Sequence, residues 1–361
     1  MSVRLRPATF ADYESVEALK ARFDLAATSE GRWHHLYDAN PLLERLPGAW
    51  PIGWALEDGG GRVVGFIGNL PCAYELDERP LVGASAYGWV VDLEHRVHSF
   101  RLVREFFAQP GVDLFLSTTA TGPAGLVLER LGAGRPPVGG YDEALFWVTG
   151  AAGFARSALR RRRAPSTLAG PVGLGIVAAQ RLRRSRPLRS AEVEEVASFD
   201  GRFDAFWGEL RSRGGTLLCE RGRAALAWHY AAPIAEGSAW TYALVRNGEV
   251  RAYAVFLRRD VPALGLTRVR LADFQALERP AEALDPLLAA GLERCGREGV
   301  HMLEAIGFGP EKRAALERLA PFRRRLPSWM FWYRAREEGL AARLADPAVW
   351  DPCGYDGDAS F

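Results

Sequence analysis

With 361 residues and a formal net charge of +2, the chain is long enough for two domains and too nearly neutral to indicate nucleic acid as a partner. The hydrophobic fraction of 48% is that of a globular protein, and no apolar run reaches transmembrane length. The first residues are polar and charged, and the four cysteines show no metal-ligand or Cys-x-x-Cys spacing. We therefore expect a cytoplasmic protein with reduced thiols and no metal.

The N-terminal part of the chain alternates between strand and helix patterns. Apolar side chains recur there with the period of a strand or of a helix, and Gly-rich and Pro-containing turns separate the runs. In chain order the pattern predicts an edge strand at 3–7, a helix starting near Thr9 or Asp12, a helix at 31–41, a hairpin at 52–57 and 62–69, and a strand at 72–76.

The most informative segment is residues 87–101, YGWVVDLEHRVHSFR. Its first five residues are apolar and rich in β-branched side chains, which predicts a buried strand. A polar turn follows, and residues 99–107 then have helical spacing. A strand that turns into a helix start offers free N–H groups and a positive dipole to an anion. The segment thus predicts an anion site, and a plain strand–helix joint with a surface arginine fits the same pattern.

This segment resembles the acyl-CoA-binding segment of the GCN5-related N-acetyltransferase (GNAT) superfamily, which reads roughly V-x-P-x-x-R-G-x-G-x-G/A. The matching positions are Val91, Glu94, His95 and Arg96. Where the family has glycines, this chain has Val97, Ser99 and Arg101. Because glycine lets a backbone approach phosphates closely, we expect fewer amide contacts here, and the Arg101 guanidinium is the candidate replacement.

The resemblance implies an α/β (α+β) fold, N-acyltransferase activity and acetyl-CoA or another acyl-CoA as co-substrate. In the family, loop amides hold the pyrophosphate of coenzyme A and two strands splay apart beside the thioester. Carried over to this chain, the acyl-CoA site consists of Val90, Val91, Arg96, Val97, His98, Ser99, Phe100, Arg101 and Thr119.

Three side chains near the same point are candidates for proton transfer. We expect Tyr87 as an acid and Asp92 or His95 as a base. Each also fits an ordinary role: a core aromatic residue, a turn former and an exposed loop histidine. Many relatives protonate the departing thiolate with a tyrosine that stands where this chain has Leu128, so that role is not carried over.

Residues 151–190 differ in composition from the rest of the chain, with ten arginines and no acidic residue. An apolar stretch broken by Gly and Pro lies between the arginine clusters. The composition predicts a solvated interdomain connector. The alternative is a peripheral contact with an anionic membrane, because basic clusters that flank an apolar stretch suit an acidic surface.

The second half repeats the element order of the first. It predicts a helix at 203–213, a hairpin at 241–245 and 250–258, a strand at 267–277, a helix at 280–297, a strand at 301–308, a helix at 311–319 and a last strand at 329–333. The order resembles tandem GNAT-like domains, as in FemABX and polysaccharide-associated acyltransferase-like proteins. The predicted domains are an acyl-CoA-binding domain at 1–150, the arginine-rich connector at 151–190 and a degenerate copy at 191–361.

The leading functional hypothesis is transfer of an acyl group, acetyl first, from acyl-CoA to a small amine, with an amino sugar as one candidate. A FemABX-like aminoacyltransferase and a catalytically silent GNAT-like binding module remain as alternatives. The connector lacks the aromatic residues that base stacking needs, so nucleic acid is not favoured. We expect the tail at 350–361 to dock on the fold, with Asp356 and Asp358 as an acidic pair at the acceptor cleft. The oligomeric state is left open.

Overall fold

The structure is a computed structural model that describes residues 3–183, 188 and 192–361. Its strands are β1 (Val3–Pro7), β2 (Gly53–Asp58), β3 (Val63–Leu76), β4 (Arg79–Val91), β5 (Leu114–Ser117), β6 (Glu143–Val148), β7 (Glu194–Glu195), β8 (Leu218–Cys219), β9 (Ala239–Arg246), β10 (Glu249–Arg258), β11 (Arg268–Ala276), β12 (Met302–Ile306), β13 (Phe322–Arg325) and β14 (Trp332–Ala335). Its α-helices are α1 (Tyr13–Ala21), α2 (Glu30–Asp38), α3 (Ser99–Ala108), α4 (Gly122–Arg130), α5 (Ala151–Arg161), α6 (Ala169–Arg183), α7 (Gly201–Arg211), α8 (Arg223–Ala235), α9 (Pro280–Arg297), α10 (Pro310–Leu319) and α11 (Glu338–Arg343).

The strands form two mixed sheets flanked by helices, which confirms the expected α/β fold class. The first sheet has the order β1-β2-β3-β4-β5-β14, with β8 added beside β3. The second has the order β13-β6-β12-β11-β10-β9-β7. Each sheet contains a parallel pair of named strands, β4 with β5 in the first and β11 with β12 in the second.

The two sheets exchange strands. Strand β6 comes from the first half of the chain but pairs with β12 and β13 in the second sheet. Strand β14 comes from the second half but pairs with β5 in the first sheet. Each parallel pair therefore has, as its next neighbour, an antiparallel strand from the other half, and the two halves are tied together by backbone hydrogen bonds. The domain bounds at 150 and 190 stay a prediction, since sheet membership does not follow them.

Local sequence explains several of these elements. A capping box is present where the sequence predicts the first helix to start: the Thr9 amide donates to Asp12 Oδ2 at 2.8 Å, and the Arg6 guanidinium holds the same carboxylate. The β9–β10 hairpin turns at Asn247 and Gly248, which have φ of 53° and 80°. Positive φ at both central residues is what the Asn-Gly hairpin signal predicts.

The sequence divided one strand in two and missed another. The runs at 62–69 and 72–76 form one strand, β3, which continues through Pro71. Beyond Gly68 this strand has no β2 partner, so the missing N–H of Pro71 leaves no gap in that ladder. The segment at 143–148 received no strand prediction, yet it forms β6, which lies between β13 and β12 in the second sheet.

The predicted connector contains two helices. Helices α5 and α6 pack together and against β6, where Phe146, Val148 and Met302 form a small core with Phe154 and Ile176. The arginines at 184, 186 and 189 lie outside the described residues.

The two halves also meet through α2 and α8. The Trp228 indole donates to the His35 carbonyl at 3.0 Å, and His35 Nε2 lies 2.7 Å from the Trp228 carbonyl. His35 and Trp228 therefore take part in the packing between the halves.

Candidate functional site

Strands β4 and β5 separate after a short parallel ladder. They pair only at residues 83–85 and 114–116, although β4 continues to Val91. Within the described part of the chain, residues 86–91 have no strand partner on the β5 side. The unpaired backbone of these residues borders a wedge-shaped opening, the feature that the sequence resemblance implied.

A bulge in β4 sits inside this opening. Gly68 pairs with Tyr87 and Phe66 with Val90, so Gly88 and Trp89 together oppose Ile67. Gly88 has φ of 57°, in the left-handed region that glycine adopts at little cost.

The bulge reverses which face of the sheet each later residue occupies. Tyr87 packs with the core under α1 and α2, and so does Val90, three residues on. Val91 packs with the opposite core under α3. The Val90 and Val91 side chains are thus buried, and only their backbone groups can contact a ligand.

The segment after β4 is more ordered than the polar turn that the sequence predicted. Leu93–His98 forms a 3₁₀ helix that leads directly into α3. The Ser99 amide donates to the Arg96 carbonyl, so this helix start offers fewer free N–H groups than expected. The predicted anion site therefore depends more on side chains than on amides.

Five of the side chains predicted to bind acyl-CoA are exposed or half-buried on this segment. Arg96, Val97 and Phe100 are exposed, and Ser99 is half-buried. His98 is also half-buried, and burial together with neighbouring Arg101 lowers its pKa. A cationic, accessible segment beside the β4–β5 opening is compatible with a pyrophosphate.

The Arg101 side chain has a protein partner. Its Nη1 donates to the Val3 carbonyl at 2.9 Å, which ties α3 to the edge strand β1. A phosphate contact from the remaining guanidinium nitrogens stays a prediction.

Asp92 and His95 lie at the base of the same segment. The Asp92 carboxylate forms an ion pair with Arg22 at 2.9 Å, and the Asp92 carbonyl accepts from the His95 amide. His95 is buried, and its Nδ1 has no hydrogen-bond partner within the described structure. Neither residue is among those that line the large cavity described next.

A cavity of about 460 Å³ lies between the two halves, next to the β4–β5 opening. The first half contributes the α1–α2 loop, Tyr87, Gly88 and Thr119 to its wall, and the second half contributes the end of α8, the end of β10 and the tail. Its charged wall residues are Lys20, Arg32, Glu236, Arg259 and Asp358. Of the predicted site residues, Tyr87 and Thr119 are brought together here.

Tyr87 is anchored through the α1–α2 loop. Its hydroxyl lies 2.7 Å from Thr28 Oγ1, which also accepts from Lys20 Nζ at 2.9 Å. Burial raises the pKa of the Tyr87 phenol. The phenol is therefore protonated at neutral pH and sits at the cavity wall.

Asp358 lies on the opposite side of the opening. Its carboxylate accepts from the Thr118 hydroxyl at 2.6 Å and from the Thr119 hydroxyl at 2.8 Å. Burial raises the pKa of Asp358, and the two threonine hydroxyls act in the opposite direction. A carboxylate with a raised pKa that lines a cavity is a candidate base.

Two arginines, one from each half of the chain, line the cavity. Burial lowers the pKa of Arg32, whose guanidinium carbon lies 5.5 Å from the centre of the Phe361 ring. Burial and neighbouring Arg270 lower the pKa of Arg259 to about 10. Arg259 also donates to the main-chain oxygen of Phe361 at 2.8 Å. The cavity thus carries charges of both signs.

The tail reaches this cavity because buried polar groups hold it. Arg221, fully buried, contacts the Asp273 carboxylate at 3.2 Å and the Asp356 carboxylate at 3.6 Å. Further along, the Ser360 hydroxyl lies 2.7 Å from His229 Nε2. The two acidic tail residues therefore separate: Asp356 belongs to the core of the second half, and Asp358 lines the cavity.

Strands β11 and β12 also separate after a short ladder at residues 268–271 and 302–305, and the tail fills this second opening. The Phe308 amide, just after β12, donates to the Pro352 carbonyl at 2.9 Å. Gly354 packs closely against β11. A Cβ atom at this position would lie 2.9 Å from the Ala272 carbonyl oxygen, so there is no room for a side chain. The protein's own chain thus occupies the second β-strand opening.

Sequence reasoning missed most of the cavity wall. Thr28, Arg32 and Arg259 carry no local motif, and only the fold brings them together. The Asp-Gly-Asp run of the tail was the one available signal, and it pointed to Asp358.

The structure can be compared with solved structures. A GCN5-related N-acetyltransferase from Anabaena variabilis shares 11% identity at a TM-score of 0.53, over 92% of this chain and 73% of that one. A GCN5-related N-acetyltransferase from Kribbella flavida shares 14% identity at a TM-score of 0.55, over 92% and 71%. A conserved protein of unknown function and probable N-acyltransferase from Enterococcus faecalis shares 11% identity at a TM-score of 0.53, over 93% and 73%. No protein-family model and no curated protein matches the sequence.

These likenesses show that the chain has the fold of GCN5-related N-acetyltransferases. The low identities make this a statement about fold, and the activity is argued below from the site. In the described residues no group of three or more His, Cys, Asp or Glu is placed to hold a metal ion. No described helix is long and apolar enough to cross a membrane.

Proposed function

We propose that the protein is an N-acyltransferase that moves an acyl group from acyl-CoA to a small primary amine. The observation that carries the proposal is that the β4–β5 opening and the cavity between the halves share wall residues, Tyr87 and Thr119. Acyl-CoA would enter along the unpaired backbone of residues 86–91, and the amine would enter from the cavity. The two substrates would then meet at one point, which is what acyl transfer requires.

The reaction needs a base for the amine and an acid for the departing thiolate. The amine nitrogen attacks the thioester carbonyl, a C–N bond forms and the C–S bond breaks. We assign the amine proton to the Asp358 carboxylate and the proton that the thiolate receives to the Tyr87 phenol. Asp92 and His95, the bases expected from sequence, receive no support from the cavity, because neither lines it.

The cavity also suggests which acyl group and which acceptor the protein uses. Acetyl is our first choice for the acyl group. An amino sugar fits as acceptor, because a cavity of about 460 Å³ with charges of both signs has room and polar partners for one.

The experiment is an assay for release of free coenzyme A. Acetyl-CoA and longer acyl-CoAs are offered with amino sugars, polyamines and amino acids. We expect turnover with at least one amine and loss of turnover in Tyr87→Phe and Asp358→Asn. Acyl-CoA binding without turnover on any amine would instead favour a catalytically silent module.

A further inference from the structure

Helix α6 packs on the protein with only one of its faces. The stripe that faces inward consists of Ala169, Gly173, Ile176 and Gln180, all buried or half-buried. The Gln180 side-chain amide closes the end of β6, accepting from the Val148 amide at 2.9 Å and donating to the Val148 carbonyl at 3.0 Å. These contacts fix which side of the helix points outward.

The outward stripe is apolar. It consists of Pro171, Leu174, Ala178 and Leu182, which we call the α6 outer face; they follow one another at helical spacing and are all exposed. Leu174 is 74% exposed and Leu182 is 87% exposed. A helix that is apolar on both sides is normally covered on both sides.

Exposed apolar side chains concentrate on this helix. Across the described residues ten large hydrophobic side chains are exposed, and five of them lie between residues 168 and 182. Scattered exposed leucines need no explanation, but a contiguous group marks an interaction surface.

The surroundings of the α6 outer face are strongly basic. The exposed residues 160–163 at the end of α5 are all arginine, and Arg181 and Arg183 are exposed at the end of α6. The whole segment at 151–190 has no acidic residue. A second copy of the chain on this face would bring like charges together, whereas an anionic surface would neutralise them.

We propose that the α6 outer face docks on an anionic lipid bilayer. Leu174 and Leu182 would insert among the acyl chains near the surface, and the arginines would lie at the phosphate level of the headgroups. The contact is peripheral, and it does not depend on the proposed acyltransferase activity.

The test is co-sedimentation with vesicles of phosphatidylcholine, with and without phosphatidylglycerol. We expect binding only when phosphatidylglycerol is present, and binding that fades as salt is added. Leu174→Gln with Leu182→Gln removes two inserted leucines and should weaken binding by about a hundredfold. Replacing the four arginines at 160–163 with glutamine should weaken vesicle binding by about a hundredfold or more.

Two matched controls separate this docking from general effects. Leu126→Gln alters a leucine that is 59% exposed on α4, a helix that packs on the core under α3 and not on β6. Glutamine at Arg4, Arg130, Arg246 and Arg323 removes the same number of charges from other exposed positions. Both controls should bind vesicles nearly as the wild type does.

Three outcomes would overturn the proposal. The first is that the wild type binds neutral and anionic vesicles equally well. The second is that the Leu174 and Leu182 variant binds anionic vesicles as well as the wild type does. The third is that the wild type binds no vesicles but forms a dimer, and that this variant dissociates the dimer. The last outcome would assign the face to a second copy of the chain.

Discussion

The Tyr87 hydroxyl and Thr28 Oγ1 lie 2.7 Å apart and join strand β4 to the loop that borders the cavity. This hydrogen bond connects the bulged strand of the β4–β5 opening with the cavity wall where we place the amine. It also fixes the phenol in one position, which a proton donor requires.

Tyr87→Phe should lower kcat by about a hundredfold or more and change the KM for acyl-CoA little. The reason is that the variant removes the proposed acid and leaves the ring that packs in the core. Because burial raises the pKa of Tyr87, the wild type should keep its activity into alkaline solution. Steady-state kinetics against pH would measure both effects.

Tyr13→Phe is the matched control for that variant. The Tyr13 hydroxyl donates to the Thr28 carbonyl at 3.0 Å, so it holds the same loop from outside the cavity wall. We expect a loss of about 1 kcal/mol in stability with kcat nearly unchanged. An equal loss of kcat in both variants would show that loop position matters and that the Tyr87 proton does not.

Asp358→Asn should abolish most of the turnover while acyl-CoA still binds. Asparagine keeps an oxygen to accept from a threonine hydroxyl, but it cannot take a proton from the amine. Since burial raises the pKa of Asp358, wild-type activity should fall as the solution is acidified through that pKa. Full activity of the variant at its optimum pH would exclude Asp358 as the base.

Glu304 should contribute to stability in a way that depends on pH. Burial acts to raise the pKa of this carboxyl, but Arg270, Arg268 and Arg324 outweigh it and lower the pKa to about 2, from an ordinary value of 4.5. A lowered pKa in the folded state stabilises the protein above pH 4.5, and that contribution is lost as the pH falls toward 2. Its full size is about 3 kcal/mol.

Urea unfolding of wild type and Glu304→Gln would test this account. The difference in unfolding free energy should be large near about pH 6 and should shrink by about pH 3. The control is Glu249→Gln, whose side chain is 70% exposed and should give a small difference throughout. A Glu304→Gln difference that does not vary with pH would contradict the proposed stabilisation of the charged form.

The sequence predicted local elements well and long-range pairing poorly. Periodicity located α9 at its observed bounds, Pro280–Arg297, because a strong apolar face and a proline start are local signals. The strand exchange of β6 and β14 could not be predicted, since a strand pattern does not specify its partner. The continuity of β3 through Pro71 could not be predicted either, because it depends on where the ladder with β2 ends.

The candidate site likewise contains some residues that a local motif predicts and others that only the fold brings together. The segment after β4 was found from a motif, and Tyr87 was found because it neighbours that motif. Asp358 reaches Thr118 across 240 positions of sequence, and Arg32 and Arg259 come from different halves. Such contacts depend on how the two sheets and the tail pack, and no local pattern encodes that packing.

The most direct test of the central claim is a calorimetric titration of the chain with acetyl-CoA. We predict one binding site per chain, because the tail occupies the second opening at Phe308 and Gly354. Arg96→Ala should weaken binding about tenfold, and Arg323→Ala, at another exposed position, should leave it unchanged. No binding by the wild type, two equivalent sites per chain, or equal weakening by both variants would contradict the account.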